Sequence, residues 1–547
     1  LIISMKSTLL LTFWLFLTVF TVFSQNTNFE TQFIIPEKEK KFKDKPGNFE
    51  KIGADQQAIY FLNHPPYNLY QGKGTRISKY DHQMGLIMRK ALDLKEGEKE
   101  KSFVGCVYLK EKIFVFSSFQ NKDHNKYYLF VQSVNKETLE VENDIKMINE
   151  IDYSDINGFH TISFDITLSA DKTKLLMMGH IKNRSYDNLQ VGIFVFDDSF
   201  GLKWYDENII NNVPEGSFSM QQTIIDNTGD VFINGIHRAP DSKKTVVFKK
   251  DKKKGPLADR LFYYALHPDY TNQLLCFRDR GKDVKAIVFS LPDKFVKNIA
   301  MHPSKSNSLF CTGVYSNPGL SSASGFFNFN IDVATGKTSN INFKEFDGVL
   351  KYDRFEEDDI DKFRKEIKNE EEWDPYQYKL SPLIKKKNGQ VVVVLEQYQR
   401  GHVYSVDGKY TTTEPFYATD NLLIVTMSAK GQIANMTSVD KKQFIYNNNE
   451  FLDSYYSTLV NDKLYFVFAD ILHVKATVRI SKPSTTYIIE VDHEGNITRS
   501  ELFGEDGVNG SFIFTNEVTK TSQNTWVFPM MSHNFLKHSF LKITINQ

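Results

Sequence analysis

Among the side chains able to do chemistry, 13 histidines are scattered along the chain and 3 cysteines stand apart from one another. His64, His267 and His302 each precede a proline, a context that favours turns over ligands. His160, His180 and His237 begin or follow apolar runs in neighbouring stretches and could meet at one end of a fold. Their spacing matches no metal-ligand pattern, so no metal site is expected. Cys106, Cys276 and Cys311 sit inside apolar runs, where a free thiol packs as a small hydrophobe. Three thiols cannot make a disulfide framework. The chain contains no Cys-x-x-Cys, no His-Glu-x-x-His, no Gly-x-Ser-x-Gly and no phosphate-cradling glycine loop. No catalytic residue and no cofactor are therefore expected. Carboxylates are numerous enough to supply a glycosidase-like pair, but nothing in their order fixes a separation. Charge narrows the partners: 67 Lys and Arg balance 67 Asp and Glu, leaving no basic excess with which to displace counterions from nucleic acid.

The elements that must position any such residues are strands. Aromatics, which favour strands, make up 14% of 547 residues, and only 16 are proline. A chain this long exceeds one compact core, so it must be several domains, a repeat array or a large ring. One unit recurs: a strand, a tight polar turn, a second apolar strand, a third, another turn rich in Asp, Gly or Asn, and a fourth. Copies start near 49, 103, 160, 218, 298, 379, 454 and 511, a period of about 57 residues with three units lengthened. Turns at Asp171–Thr173, Asp226–Gly229, Asn388–Gly389 and Asn461–Asp462 carry residues that tolerate positive φ, as hairpins require. Four antiparallel strands per unit describe the blade of a β-propeller, an all-β fold, with eight blades favoured over seven and two separate β-sandwiches as the alternative. The last unit ends at a third strand, and an uncovered edge invites aggregation. Phe29–Ile35 is available to cover it.

The chain accordingly divides into a signal peptide at 1–24, an N-terminal segment at 25–48 holding the candidate ring-closing strand, and a propeller at 49–547. Met5 and Lys6 precede an apolar run from Leu9 to Phe23 that ends at Ser24 and Gln25, the pattern of a cleaved export signal, with Leu1–Ser4 upstream of the start. The run is shorter than the roughly 18 apolar residues of a membrane anchor, and no later segment is apolar enough to span a bilayer. No cysteine stands at the cut to carry lipid, so the mature protein is expected to be exported and not a lipoprotein.

Two insertions lengthen the units. The one at 241–260 is rich in lysine, from Lys243 to Lys254, and is expected as a solvated hairpin tip. The one at 353–379 is acidic, and Phe355, Ile360, Phe363 and Ile367 fall on one helical face, which predicts a short helix. Trp373, Tyr376 and Tyr378 close it and are the candidate partner-binding residues, because aromatic anchors dominate binding hot spots.

Two turns resemble those of known propellers. Asp332 to Lys337 is similar to the Asp-x-x-Thr-Gly-Lys turn of quinoprotein-type blades, with Asn340 where those carry tryptophan. Asp198 to Trp204 resembles the Asp-box hairpin of sialidase-like propellers, with Ser199 in place of its aspartate. Over most of its length the mature chain is similar to exported, functionally uncharacterised β-propeller-like proteins of the Bacteroidota, through Ile77–Asp81, Asn421–Gly431, Tyr455–Asp470 and the leader ending at Ser24–Gln25. That resemblance implies a place in the periplasm or at the outer membrane, with no assigned reaction. The expected function is a non-catalytic scaffold that binds a protein, within reach of an outer-membrane barrel complex. The alternative is a propeller enzyme or lectin-like module acting on glycans or peptides.

Overall fold

The computed structural model describes residues 29–34, 49–63, 74–96, 99–152, 160–183, 190–206, 217–238, 246–247, 260–265, 270–304, 307–317, 323–346, 377–407, 410–446, 454–470, 485–503, 511–532 and 538–546. They form eight four-stranded antiparallel blades closed into a ring, a β-propeller. The blades occupy residues 49–91, 102–152, 160–206, 217–289, 295–345, 377–439, 456–503 and 511–545, and we number them 1 to 8. In blades 1 to 7 the strands pair in chain order from first to fourth, and in blade 8 the first three do so.

Near-continuous apolar runs in the inner strands, such as Ile59–Asn63 and Leu464–Ala469, give the blades two buried faces, and each face needs a neighbour. Eight apolar clusters supply this, one for each junction between consecutive blades. The cluster joining blade 8 to blade 1 sets Val527 and Phe540 against Ile59, Phe61 and Tyr80, which completes the circle and excludes separate sandwiches. The closing strand comes from the other end of the chain. Phe29–Ile34 runs antiparallel to His538–Ile545, with Phe29 opposite Ile545 and Ile34 opposite Phe540, and becomes the fourth strand of blade 8.

First strands face the axis and bond one another across the junctions. The Lys51 N–H donates to Glu517 Oε2 at 2.6 Å, from blade 1 to blade 8. The Gln222 amide brackets Met301 of blade 5, accepting from its N–H at 2.7 Å and donating to its carbonyl at 3.2 Å. Asn298 Nδ2 donates to the Tyr378 carbonyl of blade 6. In blades 4 and 5 these contacts follow a bulge in the first strand, which turns the next side chain toward the neighbouring blade, and in blade 1 Lys51 stands just before such a bulge. At the same point in blade 1 stands Gly53, where a Cβ would lie 2.4 Å from the Tyr108 ring of blade 2.

Strand order fixes which connections emerge where. In an antiparallel meander the first-to-second and third-to-fourth turns leave at one end; the second-to-third and blade-to-blade connections leave at the other. We call these the turn face and the connection face. The turn face is uniform. Asp81, Asp197 and Asp492 each accept from the N–H groups two and four residues on, at 2.8–2.9 Å. Asp226 does the same for Thr228, Gly229 and Asp230 at 2.9–3.0 Å. Lys110 and Glu111, like Asn461 and Asp462, both take positive φ, the two-residue turn whose twist matches its strands. The Asp-box-like hairpin is anchored by Asp197, one residue before the expected Asp198, because Asp197 is the last strand residue and its carboxylate spans the turn. Partial burial pushes that carboxyl up, but Lys203 and the Gly201 and Ser199 N–H groups outweigh it and hold it at about 2.

Two expectations need correction. His302 lies in the strand Phe295–Pro303 and not in a turn, because Pro303 ends the strand, where a missing N–H is tolerated. The helix expected within 353–379 finds no support. The part described, from Gln377, is strand, and the rest lies outside the described residues. The leader at 1–24 also lies outside them.

Candidate functional site

The connection face carries a structure the turn face lacks. In blade 6 the second and third strands, Val391–Asp407 and Tyr410–Met427, run far past the blade as one hairpin. Residues 391–396 and 422–427 belong to the ring. Beyond a bulge between Glu396 and Tyr398 the hairpin continues to the pair Asp407 and Tyr410. Ten residues of strand at about 3.3 Å each carry it roughly 30 Å further. Arg260–Ala265, from the connection between the second and third strands of blade 4, pairs with it through Arg260 and Tyr404, Leu261 and Val403. Val246–Val247 pairs with that strand in turn, and Gln443–Tyr446 pairs with the hairpin's other side. Insertions from two blades thus meet in one sheet standing on the ring.

The lysine-rich stretch at 241–260 contributes Val246–Val247 and Arg260 to this sheet, while the lysines between them lie outside the described residues. Trp373 and Tyr376 lie outside them too. Tyr378, the third candidate for partner contact, is described: it is 5% exposed and packs at 5.6 Å against Phe346. It occupies the strand Gln377–Leu380, whose alternation turns it into the junction between blades 5 and 6.

Of the histidines singled out, His180 has the most developed surroundings. It lies on the second strand of blade 3, opposite Ser163 of the first strand. Its Nε2 is 2.8 Å from Asp165 Oδ2, with the imidazole 14% and the carboxylate 76% exposed. Strand alternation explains the grouping. Ile162, Phe164 and Ile166 face the core shared with blade 2, which puts Ser163 and Asp165 on the opposite side. A carboxylate hydrogen-bonded to an imidazole is a pair of the kind that can act in general acid–base chemistry. His237 lies in blade 4, opposite Phe218, and does not join this group. Among the described residues no three His, Cys, Asp or Glu come together as a metal site. Cys276 and Cys311 are buried, and burial pushes the Cys276 thiol up to about 12, away from reactivity. Among the described residues no helix is long and apolar enough to cross a membrane.

Neither the projecting sheet nor the Asp165–His180 pair was apparent from sequence. Alternation of Tyr398, Arg400, His402 and Tyr404 with smaller or apolar residues was a usable strand signal for the sheet.

No family model matches the chain, and no curated protein matches it. Among solved structures it is similar to prolyl oligopeptidase B from Galerina marginata, at 9% identity and a TM-score of 0.36, over 90% of this chain and 56% of that one. It is also similar to the polysaccharide lyase Uly1, at 9% identity and 0.33, over 92% of this chain and 100% of that one. A third is the β-propeller domain of the Trilobed protease from Pyrococcus furiosus, at 11% identity and 0.33, over 85% and 98%. The chain thus spans little more than half the length of the oligopeptidase.

Proposed function

We propose that this protein is a non-catalytic binding scaffold of the bacterial cell envelope, which recognises a protein partner through its connection face. The observation that carries this reading is the projecting sheet. It adds nothing to ring closure, yet segments of blades 4 and 6 converge to build it. A rigid ring that holds strands and long connections beyond one face is a scaffold suited to recognition. The envelope location is supported by the leader-like run ending at Ser24–Gln25, and it makes an outer-membrane protein complex the first partner to seek.

The test replaces residues 401–416 with a two-residue Asn-Gly turn between the paired Arg400 and Tyr417 and isolates tagged protein from membranes in mild detergent. The ring is expected to stay folded while the co-purifying partner is lost. Recovery of that partner at the wild-type level would refute the reading. Amino-terminal sequencing of the exported protein tests the location, with Gln25 expected as the first residue.

A second reading, an enzyme acting on glycans or peptides, is favoured by the exposed Asp165 carboxylate held by His180 opposite Ser163. It expects the purified protein to turn over such a substrate and Asp165→Asn to lower kcat by at least about 100-fold. A variant with unchanged turnover would dismiss this pair.

A further inference from the structure

The projecting sheet leaves blade 6 at the bulge where Glu396 pairs with Leu422 but Tyr398 pairs with Thr419. At this root a charged pair is shut away from water. Lys441 Nζ lies 2.7 Å from Glu396 Oε1, with the two side chains 0% and 2% exposed. Lys441 Nζ also donates to Thr419 Oγ1 at 2.8 Å, and the Thr419 hydroxyl donates to Gln443 Oε1 at 2.6 Å. Gln443 Nε2 donates to the Ala469 carbonyl of blade 7 at 2.7 Å. The Lys441 N–H donates to Asn421 Oδ1 at 3.2 Å. One run of bonds therefore joins both hairpin strands at their root, the segment that leaves blade 6, and the second strand of blade 7.

Moving two charges out of water is costly, and well-packed apolar residues of similar volume are often as stable. What a buried pair adds is geometry, since the two charges and their hydrogen bonds are satisfied together in one arrangement. Its position matters here. Glu396 is the last residue before the bulge, and Thr419 is the first beyond it on the opposite strand. The pair bridges the point where the hairpin passes from ring to projection.

We infer that Lys441 and Glu396 form a latch that fixes the angle at which the projecting sheet stands on the ring. They are positioning residues for the connection face. The inference rests on the scaffold reading only for its functional consequence.

Hydrogen exchange on the full chain tests it. Lys441→Met leaves a buried carboxylate unpaired, and Glu396→Gln leaves a buried ammonium without its counter-charge. Each is expected to speed exchange in 398–407 and 410–419 by at least about tenfold, with the strand Ile59–Asn63 of blade 1 unchanged. The double variant K441M/E396Q removes both charges and is expected to recover most of the protection, the sign of a direct coupling. Wild-type exchange in both single variants would overturn the latch. So would faster exchange in every blade, or failure of both to fold, since either would make the pair a support of the whole ring. Sheet loosening with undiminished partner capture would leave the latch standing and count against the scaffold reading instead.

Discussion

The two faces of the ring are ends of the same strands, yet they are built by different means. On the turn face, short loops are held by carboxylates that accept from their own backbone, and neighbouring turns bond each other. The Asp171 N–H donates to Asn227 Oδ1 at 3.2 Å, and the Lys387 N–H to Asp462 Oδ1 at 3.1 Å. Trp204 of blade 3 is buried beside this face and donates from Nε1 to the Gly229 carbonyl of blade 4 at 3.1 Å. On the connection face the segments that join strands differ from blade to blade, and three of them build a sheet outside the ring. Such a division suggests that one face carries stability and the other carries recognition. A backbone turn that satisfies its own polar groups leaves little to offer a partner, whereas a sheet raised above the ring offers a new surface.

Substitutions can break that comparison or sharpen it. The largest effect is expected for Trp204→Ala, which removes a buried ring and its bond to the next blade, at a cost of about 3–5 kcal/mol in urea unfolding. A pH effect comes next. Burial, with Lys385 nearby, lowers the His302 imidazole to about 4, and its Nε2 has no hydrogen-bond partner among the described residues. The folded value lies below the unfolded one, so the unfolded state takes up the proton first as pH falls. Stability from this group is present above about 6.5, is lost progressively as pH falls toward about 4, and changes no further below that. The loss is at most about 3 kcal/mol, and His302→Gln should flatten that part of the unfolding profile between pH 7.5 and pH 4.5. Asp226→Ala removes the acceptor for three N–H groups and should cost about 1 kcal/mol in the same assay. Smallest of all on stability is the Asn-Gly replacement of 401–416, expected within about 0.5 kcal/mol for the ring. A larger loss there would mean that the projecting sheet supports the blades.

How much was legible in sequence follows the same line. The turn face could be read because its rules are local. Asn461–Asp462 and Asn388–Gly389 were placed correctly as turns, since only certain residues tolerate the positive φ a tight hairpin needs. The unfinished last unit pointed to a strand from the other terminus, and Phe29–Ile34 occupies that place. The connection face was less readable because its contacts are long-range. Arg260 pairs with Tyr404 through closeness that only the assembled ring creates, and Lys441 meets Glu396 only once the strands of blade 6 have paired. The burial of Tyr378 was hidden for a related reason: an aromatic beside an acidic insertion has no assigned face until strand alternation supplies one.

The claim that recognition belongs to the connection face can be tested most directly by site-specific photo-crosslinking in the native envelope. One probe replaces Tyr404 on the projecting hairpin, and another replaces Lys172 in the first turn of blade 3. The expected result is one discrete partner adduct from position 404 and none from position 172. An adduct from position 172 alone, or the same adduct from both, would contradict the division of labour between the faces.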